Sequence, residues 1–127
     1  MKQFCLIWGD IFACLFLTLY LLYVYSLHLN ACMHHREILS VLVVCEWSYL
    51  SWGQKVENMT NRDSFVTYEW VDLHCGKYFE GVVNYLRCLL DKEGDMIDDE
   101  GRERCKTCFL KAVQLEEEFF DYAYSSD

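Results

Sequence analysis

Proline is absent from the 127 residues, and basic side chains are scarce, 11 against 20 acidic ones, for a net charge of −9. Without proline nothing in the chain interrupts a helix, so long helices are allowed throughout. The shortage of positive charge excludes a nucleic-acid grip, because a phosphate backbone would be repelled, the more so after Asp91 where the acids concentrate. No internal repeat and no low-complexity tract is visible. What is abundant is apolar: 54% of the chain, with aromatics at 17%. Apolar spacing favours three and four over two, so the fold class is all-α, a helical bundle. One domain of this size buries a limited core and would be helped by a partner, such as a second copy in a homo-oligomer, or by a membrane.

Eight cysteines are present, but Cys45, Cys75, Cys88, Cys105 and Cys108 fall in expected helices rather than in the loop-rich frame of a disulfide scaffold. That placement points to a reducing compartment and a cytoplasmic location. The sequon at Asn58 is then silent. Cys105 and Cys108 have zinc-like spacing, yet a lone pair is half a site and no close second Cys/His pair accompanies it, so no metal and no cofactor is expected. The acidic stretch from Asp91 has Met96 where a calcium loop needs glycine, and reads as a solvated turn.

Residues 11–29, IFACLFLTLYLLYVYSLHL, carry no charge. As a helix they would rise roughly 30 Å, the thickness of a bilayer core. A membrane anchor, a buried core helix and a leader joined ahead of a domain all remain open, since Thr18, Ser26 and His28 dilute the run and its flanks give no charge bias. Residues 1–36 are taken as this leader and residues 37–127 as the helical domain. Helices are expected at about residues 38–55, 65–74, 78–92 and 102–124, with a polar break at 34–37, a loop at 57–62 and an acidic turn at 93–101. Asp63 or Ser64 can cap the second of these helices.

Polar groups that can do chemistry sit on two of the apolar faces. At about 100° per residue, Tyr49 falls between Cys45 and Glu46 on one wedge of the first domain helix, and the wedge faces inward with Val41, Leu42 and Trp52. In the last helix Phe109, Ala112, Val113, Phe119, Phe120 and Ala123 lie within roughly 60° of Glu116. Burial there would raise the carboxyl pKa and create a proton donor for neutral pH; a structural glutamate paired with an Arg or a Tyr hydroxyl is the alternative. Cys45 beside it is a candidate nucleophile or an ordinary buried thiol. A negative charge at Glu46 would raise the thiol pKa, so Glu46 is a rival to the thiol rather than its helper.

Three motifs in order, CEWSYLSWGQKV, FVTYEWVDLHCGKYFEGVVNYLRCLLD and FLKAVQLEEEFFDYAY, resemble the TenA/thiaminase II family over residues 40–124, and look most similar to its eukaryotic members. The resemblance implies the C-terminal half of an all-helical, haem-oxygenase-like fold. It also implies hydrolysis of aminopyrimidines from thiamin breakdown, releasing an amine and giving hydroxymethylpyrimidine, with a small-molecule pyrimidine as partner and no cofactor. By motif, Cys45 with Tyr49 matches the nucleophile and pocket tyrosine of the cysteine-bearing class, Glu46 with Tyr49 matches the glutamate-bearing class, and Glu116 matches the catalytic glutamate. Tyr49, Tyr68, His74 and Phe120 are the implied substrate-binding residues. Two positions depart from the pattern: His74 replaces a pocket tyrosine, and Tyr68 is displaced by one from its usual place. The family's N-terminal half, which supplies an aspartate and further tyrosines, has no counterpart by motif, so an inactive or membrane-tethered helical interaction module is the rival to an enzyme.

Overall fold

A computed structural model describes residues 34–125, and these are helical. Helix α1 runs His35–Val56, α2 Phe65–Cys75, α3 Lys77–Asp95 and α4 Asp99–Ser125, with a short 3₁₀ turn, Glu57–Met59, after α1. The apolar run at 11–29 and the leader built around it lie outside the described residues. No helix among the described residues is long and apolar enough to cross a membrane.

Helix α1 is the hub, packed against each of the other three. Its sequence explains why: Leu39, Ser40, Val41, Val43, Val44, Cys45, Tyr49 and Leu50 are buried on almost every side, which suits an axial helix and not a surface one. The core gathers Val41, Val44, Cys45 and Tyr49 from α1 with Cys108 and Ala112 from α4, flanked by Trp52, Trp70, Phe79 and Phe109. Gly53 permits the closest approach. A Cβ there would lie 2.8 Å from the His74 carbonyl oxygen, so α2 can lie this near only because the side chain is missing.

Three boundaries differ from expectation. The polar stretch at 34–37 is not a break: α1 starts at His35, with His34 as its cap. The Glu37 carboxylate accepts a hydrogen bond from the His34 backbone N–H at 3.0 Å and another from Arg104 Nε at 3.1 Å, tying the first turn of α1 to α4. Arg36 Nε and His35 Nε2 both meet Glu93 of α3, at 2.7 and 3.0 Å. These donors, Arg36 first, hold the Glu93 carboxyl below its ordinary pKa. Charges that look like a loop in sequence are a clamp across three helices.

The acidic turn expected at 93–101 shrinks to residues 96–98. Asp98 Oδ1 accepts from the Gly101 N–H at 2.8 Å, an N-cap for α4, while Arg102 reaches back to the Gly94 and Ile97 carbonyls at 3.0 and 2.6 Å. One acid starts α4 and one base finishes α3. The loop expected at 57–62 begins with the 3₁₀ turn, whose exit is held by Thr60 Oγ1 donating to the Val56 carbonyl at 2.8 Å.

Candidate functional site: an acidic, aromatic groove between α1 and α4

Glu116 has only 3% of its surface exposed, a buried carboxyl in the stripe that α4 turns toward α1. Apart from the Cys45 thiol, neither of its oxygens has a hydrogen-bond partner among the described residues. Burial pushes its pKa above the ordinary carboxyl value, and the Cys45 thiol acts against that rise by donating to the ionised form. A carboxyl in this position exchanges protons nearer neutrality than a surface glutamate does.

Glu116 also lines a groove of about 710 Å³ between α1 and α4. Its apolar walls are Trp52 and Val56 from α1, Trp70 from α2, and Val113 and Phe120 from α4; Lys55, Glu117 and Asp121 stand among the lining side chains. Phe120 meets Trp52 edge to face at 4.3 Å between centroids. Flat aromatic walls around one proton-exchanging group suit a small planar heterocycle.

The candidate residues divide by position. Cys45 is 1% exposed and outside the groove lining. Glu46, although adjacent in sequence, is half-buried and also outside that lining; burial raises its pKa, and no effect of it on Glu116 is resolved. Tyr49 is buried, packed against Trp52, Trp70 and His74 at 5.9, 6.2 and 5.7 Å between ring centroids. His74 sits behind Trp70, stacked on it at 4.5 Å. Tyr68 is elsewhere, with Phe65 at 5.7 Å and the Arg62 guanidinium at 5.8 Å, and it does not line the groove. Phe120 does.

Two walls were not among the site residues expected from sequence. Trp52 and Trp70 belong to a set of central aromatics of which most are expected in the core and a few could stack on a flat heteroaromatic ligand, and the sequence does not single these two out. The spacing held the signal, since Trp52 is seven residues from Cys45 and therefore on the same stripe. Val113, expected inward, is 43% exposed because it forms part of the groove's open side. Cys108 is buried against α1, and its neighbour in the zinc-like pair, Cys105, is half-buried.

Two curated aminopyrimidine aminohydrolases, from Halalkalibacterium halodurans and Helicobacter pylori, are each 28% identical to this chain, over 90 and 92 residues. The matches cover 70% and 72% of the chain but 40% and 42% of those proteins, so the chain spans about two fifths of the length of the curated relatives it matches. No solved structure matches. The sequence profile of the TENA/THI-4/PQQC family matches residues 22–126, beginning inside the apolar run and continuing through all four helices. The chain belongs to the TENA/THI-4/PQQC family.

Proposed function

We propose that the groove between α1 and α4 is the proton-transfer half of an aminopyrimidine aminohydrolase site of the thiaminase II type, serving thiamin salvage. The observation that carries this reading is the buried Glu116 carboxyl at an aromatic groove with the Cys45 thiol as its hydrogen-bond donor. The similarity to two aminopyrimidine aminohydrolases and the family membership support it.

In this reading the pyrimidine lies against Trp52, Trp70 and Phe120. Glu116 as carboxylate takes the thiol proton, which its raised pKa favours, and Cys45 adds to the ring as thiolate. Glu116, now protonated, gives that proton to a ring nitrogen. Electrons from the ring expel the side-chain amine, which takes up a proton as it leaves; water adds to the exocyclic methylene so formed and gives up a proton, and breaking of the ring carbon–sulfur bond restores aromaticity, giving the hydroxymethyl product and returning the thiolate. Because Cys45 is buried and outside the groove lining, the addition requires the groove to open toward the thiol as substrate enters. Contact with Glu116 favours Cys45 over Glu46 as the nucleophile. Tyr49 orients from the core side, His74 acts through the Trp70 ring stacked on it, and Tyr68, outside the groove lining, takes no direct part. General acid and base assistance of this kind is worth roughly 10²- to 10⁴-fold.

Incubation of the full chain with an aminomethylpyrimidine tests the reading. Release of amine that Glu116→Gln and Cys45→Ala both abolish supports it. Turnover that persists in Glu116→Gln overturns the assignment, and a folded chain that neither binds nor turns over pyrimidine favours a non-enzymatic helical module.

A further inference from the structure

We propose that His74 is a positioning residue that fixes the indole of Trp70 as a wall of the groove; the proposal rests on the groove being the pyrimidine site. Trp70 is the contribution of α2 to that groove, and a short helix of 11 residues offers little of its own to hold so large a ring in one orientation. His74, one turn later, lies almost parallel to the indole, 4.5 Å between centroids at 26°. Its Nδ1 is 2.6 Å from the Trp70 carbonyl oxygen. A carbonyl can only accept, so Nδ1 carries the proton and the neutral ring is fixed in one tautomer. The imidazole is thus tied to the backbone of the residue whose side chain it supports.

Two further aromatic rings pack against the imidazole. The Tyr49 ring from α1 meets it edge-on at 5.7 Å and 81°, and Phe79 from α3 does so at 4.9 Å and 77°. The carbonyl of His74 lies against Gly53, so the backbone beneath it cannot withdraw toward α1. Tyr49 is the titratable group facing it from α1, Cys75 is its titratable neighbour on α2, and α3 presents Phe79; among the described residues no carboxylate or basic side chain forms an ion pair with it. A tyrosine at this position, as the family pattern has it, would carry a hydroxyl outward from the ring. The imidazole is shorter and returns its polar atom to the helix backbone, so it supports the wall in place of reaching the ligand.

Near-ultraviolet circular dichroism of the full chain against pH, with substrate kinetics, tests this in the wild type, His74→Phe, His74→Ala and Trp70→Phe. The indole signal lost in Trp70→Phe titrates in the wild type with a midpoint below that of an exposed histidine, and the titration disappears in His74→Phe. His74→Ala raises KM by about 2- to 12-fold, the worth of one aromatic pair, with kcat almost unchanged, and His74→Phe restores KM because it keeps the stacked ring. Equal loss in the Phe and Ala variants, or a Trp70 signal that titrates without His74, overturns the proposal. Should His74→Ala fail to fold, the wild-type titration and His74→Phe still decide. A wild type without pyrimidine turnover refutes the assigned reaction, yet leaves the spectroscopic arm to judge the stacking.

Discussion

Replacing Glu116 by glutamine should make the folded chain more stable at neutral pH and less stable, by comparison, nowhere. Folding takes this carboxyl from water to a site 3% exposed, where the Cys45 thiol is its donor. A buried polar group without adequate partners costs about 1–3 kcal/mol, and more when it is charged. The folded carboxyl holds its proton more tightly than the unfolded one, whose ordinary value is 4.5. Below that value both states are protonated and the side chain costs no ionisation energy. As pH rises past it, the unfolded chain releases its proton first, and the stability contributed by the protonated form is lost as pH climbs through the raised folded pKa. Glutamine removes this loss. Thermal unfolding at a series of pH values should therefore show a gain for Glu116→Gln that is small near pH 4 and grows to about 1–3 kcal/mol at pH 8. For a domain of 60–100 residues each kcal/mol moves the Tm by about 4–8 °C. A variant less stable than wild type at pH 8, or a gain independent of pH, would refute the claim that the buried carboxyl is strained by its surroundings. On the proposed function the same substitution should abolish turnover, so stability and activity should move in opposite directions.

Gly53→Ala should destabilise the chain by about 1–3 kcal/mol in denaturant unfolding, since its Cβ would stand 2.8 Å from the His74 carbonyl oxygen and force α2 outward; an unchanged midpoint would mean that the two helices are not in such close contact. Alkylation with iodoacetamide, mapped by mass spectrometry in the native state, should modify exposed Cys88 well before buried Cys45 and Cys108, and early loss of Cys45 would contradict its burial in the core. Arg104→Ala should lower stability by about 1–3 kcal/mol because Glu37, 7% exposed, loses its guanidinium donor, with Glu37→Gln/Arg104→Ala recovering part of the loss in a double-mutant cycle. Arg102→Ala, by comparison, acts at an exposed helix junction and should cost no more than about 1 kcal/mol by the same unfolding assay.

Periodicity carried the interior well. The apolar spacing around Cys45 and Glu116 was enough to place both on inward faces, because helical geometry alone decides which residues share a face. It failed where partners come from distant helices. His34, Arg36 and Glu37 look like a polar break until Glu93 and Arg104 are brought beside them, some 57 to 67 residues further along. The acidic stretch after Lys92 hid two helix ends for a similar reason: the base that satisfies the carbonyls of α3, Arg102, belongs to the next helix. At the site, sequence could align Cys45, Glu46 and Tyr49 on one wedge but could not say which faced Glu116, since a wedge of about 100° is wide enough for one edge to meet α4 while the other turns away from it. It also could not separate Tyr68, turned toward Arg62, from Trp70, turned to the groove.

The most direct measurement is the titration of the Glu116 side-chain carboxyl by ¹³C NMR, its resonance identified by its disappearance in Glu116→Gln. It should titrate above the ordinary carboxyl value of 4.5, and higher still in Cys45→Ala, where the donor that draws it down has been removed. If Glu116 titrates at or below the ordinary carboxyl value, or Cys45→Ala leaves it unmoved, the buried proton donor at the groove does not exist and the proposed chemistry goes with it.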